Sequence, residues 1–441
     1  MTKEQSCIVL STLILIGIVI LGVFFSWKAV TVIFAGIAVI VLWLINPTSV
    51  LLLILLIRSS LDASDFSLFG QLNVASILAL FILVMSVDLI FTKRISIGKS
   101  LIIPYEYFLA VSIISSVFSG VLISSLADWF RFLSLYFIYL ITYNFVLKDK
   151  DYIHKLLDFM MYSAIIPISK GFIQLLTNTG NHSDGGYNRV YGTFVHPNPF
   201  AFYLLIIVAI CYMVFLNGKK TKKIIAISIS VCSIALILFT YTRSAWIGLL
   251  LLLIIIFRQI RSKYKYLVLF LLTAIFVIYQ SNYIIGFFTA RFNNITSSKM
   301  EESSLATRLY IWSNMVKVSF NHPLLGTGLS TFELYSEKEL GFSAMAHNDF
   351  LRIFFETGII GLLSYLYLLY KVIKVNYKNS RKLKYSINTI IMWLFIIFAA
   401  MSIGDNIIDM LSSQLYLWVL VAISHGNVDG VHSRMPEREE V

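Results

Sequence analysis

Charge is scarce in this 441-residue chain: Asp, Glu, Lys and Arg make up 13% of it, against 58% hydrophobic residues. With a mean hydropathy of +0.83, the composition excludes an ordinary soluble domain, which needs a polar surface. Cysteine is scarcer still. Cys7, Cys211 and Cys232 all fall in apolar runs, so no disulfide framework is predicted. No repeat with a period of roughly 20–50 residues is visible, nor the inverted halves that mark many secondary transporters. The formal charge of +12 does not point to nucleic acid, because the basic residues cluster in short loops between apolar runs.

Those runs dominate the chain, and many reach the roughly 17–25 residues needed to cross a bilayer. They predict an all-α, polytopic membrane bundle of about 12–14 helices, read as 7–25, 29–45, 48–60, 73–92, 104–123, 126–146, 153–176, 199–217, 222–241, 243–258, 265–283, 350–370, 386–402 and 407–424. The first lacks a small-residue cleavage site and reads as a retained helix. With the N-terminus inside, the loops Thr92–Lys99, Leu147–Lys155, Gly218–Lys223, Arg258–Lys265 and Lys371–Lys384 are cytoplasmic, and with both tails they hold most of the 35 Lys and Arg residues. Residues 1–424 then form a single transmembrane domain with an extracytoplasmic loop over 282–347, and 425–441 a cytoplasmic tail.

The outer side carries the unusual chemistry. Within its long loop, Leu305, Leu309, Trp312, Val316 and Phe320 recur at helical spacing and predict an amphipathic helix, with Ser304 as its N-cap, lying over the bundle as a lid. "NHPLLGTG" then turns the chain back toward the membrane. Charges in a bilayer are costly, yet Arg58, Arg131, Lys170, Arg189, Arg243, Arg308 and Arg352 all fall at the outer ends of spans or in outer loops. Together they suit an anionic ligand. Singly, Arg58 and Lys170 can snorkel, Arg131 can pair with Asp128, and Arg352 can pair with Glu356. Arg243, in "YTRSAWIG", sits in a tight outer turn, and an Arg fork suits a diphosphate because it bonds in pairs and does not titrate. His347 can accept a proton from a hydroxyl, or simply cap its helix with Asn348 and Asp349. His182, His196 and His322 share this side, but no spacing of metal ligands connects them.

Four segments, taken together, resemble the O-antigen ligase and polymerase superfamily, the Wzy-type polymerases and WaaL-type ligases of bacterial surface polysaccharides. His347-Asn348, nine residues, Gly358, two residues and Gly361 resemble the pattern H-[NSQ]-x9-G-x-x-G. "ATRLYIWSNMVKVSFNHPLLGTG" is similar to the family's Arg, Trp and Pro-x-x-G-x-G loop, "YTRSAWIG" to its short turn before a long span, and "NRVYGTFVHPNPFAFYL" to an Arg-x-x-G-x-F-x-x-P-N stretch. The resemblance implies a metal-independent, inverting glycosyltransferase of the GT-C kind that needs no cofactor, in the bacterial plasma membrane with its active site facing outward. It implies an undecaprenyl-diphosphate-linked oligosaccharide as donor, a glycan or lipid acceptor, and a flippase and a chain-length regulator as partners beside the bilayer. The resemblance implies Arg243 and Arg308, with Arg189 from its weaker motif, as diphosphate contacts and His347 as the residue that activates the acceptor hydroxyl; Arg131, as one of the outer cations, and Asn348, as the neighbour of His347, join them as candidate substrate contacts. Between polymerase and ligase, polymerase is the expectation. A lipid-linked oligosaccharide flippase would use the same cations but would not account for the lid or the His-Asn-Gly-Gly pattern.

Overall fold

The computed structural model describes residues 39–62, 74–92, 102–182, 188–259, 305–382 and 387–432. The expected spans at 7–25 and 265–283, most of 29–45, the start of the long loop with Ser304, and the end of the C-terminal tail lie outside the described residues. The fold is all-α, apart from one two-residue β-hairpin, β1 (Asn181–His182) and β2 (Asn188–Arg189). The helices are α1 (Pro47–Ile57), α2 (Val74–Phe91), α3 (Ile102–Val117), α4 (Leu122–Lys148), α5 (Tyr152–Tyr162), α6 (Ile165–Thr177), α7 (Pro197–Asn217), α8 (Lys220–Phe239), α9 (Arg243–Gln259), α10 (Leu305–Ser319), α11 (Phe332–Leu340), α12 (Asp349–Lys382), α13 (Ile387–Met401) and α14 (Leu411–His432). Among the described residues, five stretches are long and apolar enough to cross a membrane: α4, α5 with α6, α7, α8 and most of α12.

Local sequence sets the ends of these helices. Pro197 at the first position of α7 follows His196, whose Nδ1 accepts from the Asn198 amide at 3.3 Å, a cap with a pre-set φ behind it. One helix, α7, is buried on every side from Phe200 through Ile210, and α5, α8, α9, α13 and α14 pack against it. The last span departs from its expected limits. Residues 402–410 form an irregular loop, and α14 runs on to His432, so His425 is buried in the bundle with Nδ1 3.0 Å from the Tyr139 hydroxyl.

The expected uninterrupted helix behind His347 is broken. Gly358 has φ +66° and ψ −170°, values that only glycine adopts at low cost. The break frees backbone groups that must find partners in a membrane, and the turn Pro323–Gly328 supplies them. Ile359 and Ile360 donate to the Pro323 and Leu324 carbonyls at 2.8 and 3.4 Å, while Thr327 and Gly328 donate to Phe355 and Glu356 at 3.1 and 2.8 Å. Ser115 of α3 adds its hydroxyl to the Glu356 carbonyl at 2.6 Å. A Cβ on Gly358 would stand 2.3 Å from the Leu324 carbonyl carbon. Gly358 therefore serves the docking of the lid's return turn.

The lid itself has its own small core, in which Ile311, Met315, Phe332 and Phe355 are buried. Its helix is present as expected but turned by about one residue from the predicted stripe. Of that stripe Trp312 and Val316 pack against the lid core, but Leu309 is 52% exposed and Phe320 65% exposed, whereas Thr307, Ile311, Met315 and Ser319 face inward. The cause is polar: Arg308 reaches the Gly404 carbonyl at 2.7 Å, so the buried face includes a cation that hydrophobic periodicity cannot register.

Gly358→Ala should lower the melting temperature of the detergent-purified protein sharply, since the left-handed φ alone costs about 1–2 kcal/mol and the clash adds to it. Gly120→Ala, where an added Cβ meets nothing within 4 Å, should leave melting unchanged. Equal melting of the two variants would contradict the docking of the turn.

Candidate active site

Four helix ends and two loops meet at one end of the bundle, and each brings polar side chains. Arg189, at the end of β2, donates from Nε to the Thr240 carbonyl at 2.9 Å and from Nη2 to Asn198 Oδ1 at 3.0 Å. Asn198 Nδ2 in turn lies 3.3 and 3.4 Å from the two carboxylate oxygens of Asp405. Thr242 donates to Asn198 Oδ1 at 3.1 Å, and Ser244 to Asp405 Oδ2 at 3.2 Å. The turn that carries Thr242 and Arg243 is held open by Tyr241 at φ +53°.

Arg308 enters from the lid. Its Nη1 is bound to Gly404, but its Nε is buried without a hydrogen-bond partner among the described residues. It interacts with three charged or titratable neighbours, Asp405, Arg243 and His347. Arg308 thus stands between the Asp405 carboxylate and a second guanidinium, Arg243, and a repulsion between cations is relieved when an anion binds. Burial and, secondarily, Arg243 lower the pKa of Arg308, while burial raises that of Asp405 against the pull of Arg308.

His347 sits at φ +47°, a conformation that costs an L-residue energy and is held here by its surroundings. Trp312 of the lid donates its indole N–H to the preceding Ala346 carbonyl at 2.7 Å. On the other side, the Asp349 amide bonds the Ser402 carbonyl at 2.9 Å, and the Asp349 carboxylate takes the Ile408 amide at 3.0 Å. Asn348 Oδ1 accepts from the Leu351 amide at 3.0 Å, so its oxygen caps the first turn of α12. Nδ1 of His347 is buried and unpartnered among the described residues. Burial first, then Arg308 and His196, push the imidazole down to about 4, which keeps it neutral and able to take a proton near pH 7. His196 is likewise lowered to about 4, by burial and by Arg189.

The site thus brings together Arg189, Arg243, Arg308 and His347 from four separate segments. Arg131 is placed elsewhere. It pairs with Asp128, whose other oxygen takes Arg352 at 3.2 Å. Arg352 also binds Glu356 at 3.1 Å and Asp409, a buried network that ties α4, α12 and the 402–410 loop together. Arg58 pairs with Asp62 at 3.1 Å, and Lys170 is exposed on α6. Sequence reasoning did not single out Asp405, Asn198 or Ser244. Asn198 lies inside a quoted motif and Ser244 follows Arg243, but Asp405 has no local signal beyond a rare carboxylate between two apolar spans.

Residues 228–366 match the family model described as O-antigen ligase (Wzy_C). The match takes in Arg243, Arg308, His347, Gly358 and Gly361 and bears out the resemblance to the ligase and polymerase superfamily. Among curated proteins, none matches this chain.

The pH dependence of His347 carbethoxylation, followed by mass spectrometry of the free protein, should show a midpoint near 4. Arg308→Ala removes a neighbouring positive charge and should move that midpoint upward. A midpoint at the ordinary histidine value that ignores Arg308 would refute the electrostatic description.

Proposed function

We propose that this membrane protein, with an O-antigen ligase region over residues 228–366, is a polymerase of a cell-surface polysaccharide such as O antigen, capsule or exopolysaccharide. It moves the growing glycan from undecaprenyl diphosphate to the next lipid-linked repeat unit on the outer face of the plasma membrane. The observation that carries this reading is the convergence of Arg243 and Arg308 with a neutral, unpartnered His347 at the bundle end opposite the Lys219–Lys223 turn.

In this reaction the acceptor hydroxyl oxygen attacks the anomeric carbon of the donor, forming the new glycosidic bond with inversion. The bond from that carbon to the diphosphate oxygen breaks, and its electron pair leaves with undecaprenyl diphosphate. His347 takes the hydroxyl proton as the oxygen attacks. Arg243 and Arg308 receive the charge on the leaving diphosphate, the part a divalent ion plays in other transferases. An imidazole at about 4 is a weak base in the empty site. Donor binding offsets the Arg308 charge and raises the imidazole toward neutrality, where general-base catalysis works best. Asp405, Asn198 and Ser244 fix the spacing between the arginines.

The description of the matched family favours a second reading, a ligase that delivers the same glycan to lipid A core. Both use the same donor grip and the same base.

With purified protein and lipid-linked repeat units, we expect laddered products from the wild type. In His347→Ala, turnover should fall by about 10²–10⁴-fold while the lipid-linked donor stays bound. Unchanged chain length and yield would remove His347 from the mechanism. Glycosylated lipid A core without ladders would reassign the acceptor. In the same assay, Arg243→Lys should weaken donor binding although the charge is kept, because a point charge replaces a fork; unaltered affinity would contradict a role in gripping the diphosphate.

A further inference from the structure

The opposite end of the bundle holds a second polar cavity with no part in the chemistry above. It measures about 250 Å³ and lies between α5, the end of α7 and the start of α8. His154, Asp158, Lys219 and Lys222 form its polar wall, and Leu157 and Met213 its apolar floor. Lys222 is paired with Asp158, leaving Lys219 as an exposed cation at the mouth. Lys220 and Lys223 flank it in sequence, and Lys223 Nζ stands 5.3 Å from the centre of the Phe215 ring. Just beyond, α8 turns Ile224, Ile227 and Val231 outward, each at least half exposed.

Two features specify the occupant. A recess lined by lysine side chains at the headgroup level of a membrane bundle suits a phosphate, and its excess of cations over Asp158 makes that anion favourable. The outward aliphatic row of α8 offers acyl chains a surface that starts at the cavity mouth. We propose that this cavity binds the phosphate of an anionic phospholipid headgroup, in the leaflet opposite the His347 site, with the lipid's acyl chains along Phe215, Ile224 and Ile227. Lys219 and Lys222 contact the phosphate oxygens, and Asp158 competes with the phosphate for Lys222. Because α7 runs from this cavity to Asn198, a bound lipid braces the helix that positions the far site. The inference rests on the membrane-spanning fold and not on the transfer reaction.

The test uses the full-length protein in detergent, with retained lipid read by native mass spectrometry and stability by melting temperature. Phosphatidylglycerol should be retained and should raise the melting temperature, as any ligand of the native state does. The pair Lys219→Ala and Lys222→Ala should cut retention by about tenfold or more, the loss expected for charge-assisted contacts. Lys371→Ala with Lys374→Ala, cations over tyrosine rings elsewhere, should not. Asp158→Asn should increase retention by releasing Lys222, an effect that a merely structural ion pair would not produce. If inorganic phosphate alone raises the melting temperature and displaces the lipid, the same anion site serves a soluble phosphate. Retention of phosphatidylcholine as strong as that of phosphatidylglycerol, or retention unaltered by the double substitution, would overturn the proposal.

Discussion

The broken helix at Gly358 is the constraint on which the rest of this structure depends. A helix interrupted in an apolar setting exposes amides and carbonyls that cost several kcal/mol each if left unpaired. Here the backbone of the Pro323–Gly328 turn takes them up from both sides. The bonds fasten the lid to α12, and the lid carries Arg308 and Trp312 while α12 begins beside His347. Trp312, one turn beyond Arg308, closes the arrangement by holding the carbonyl before His347. A motif of His, Gly and Gly and a motif of Arg, Trp, Pro and Gly are thus two halves of one backbone junction.

Electrostatics complete what the junction positions. Arg308 is repelled by Arg243 and drawn to Asp405, while burial first, aided by Arg308 at His347 and by Arg189 at His196, keeps both imidazoles neutral. In the proposed reaction, a diphosphate entering this site would relieve the repulsion and strengthen the base in one step. The ion network around Arg352 is different in kind. Its cation is enclosed by Asp128, Glu356 and Asp409, so its charge is spent on holding helices together.

Much of this was legible in the sequence, and the rest was hidden for physical reasons. Apolar runs gave the all-α membrane bundle because burial in lipid demands continuous helices, and Arg243, Arg308 and His347 stood out because charge and imidazole are costly at their positions. Arg131 looked equivalent to them, yet an i,i+3 partner in Asp128 absorbs it, and only the fold decides which pairing wins. The lid's inward face was mistaken by about one residue since a half-buried arginine breaks the apolar pattern. The role of Gly358 depended on a turn more than thirty residues earlier in the chain, and Asp405 on side chains some 160 and 200 residues away, distances over which a single sequence carries no contact information.

The central claim is that one diphosphate is held between the lid and the bundle, beside His347. A cryo-electron microscopy structure of the full-length protein with an undecaprenyl-diphosphate-linked repeat unit tests it most directly. The account predicts the diphosphate within hydrogen-bonding distance of both Arg243 and Arg308, with the anomeric carbon on the side of His347. A diphosphate bound away from these arginines, or a sugar turned away from His347, would contradict it.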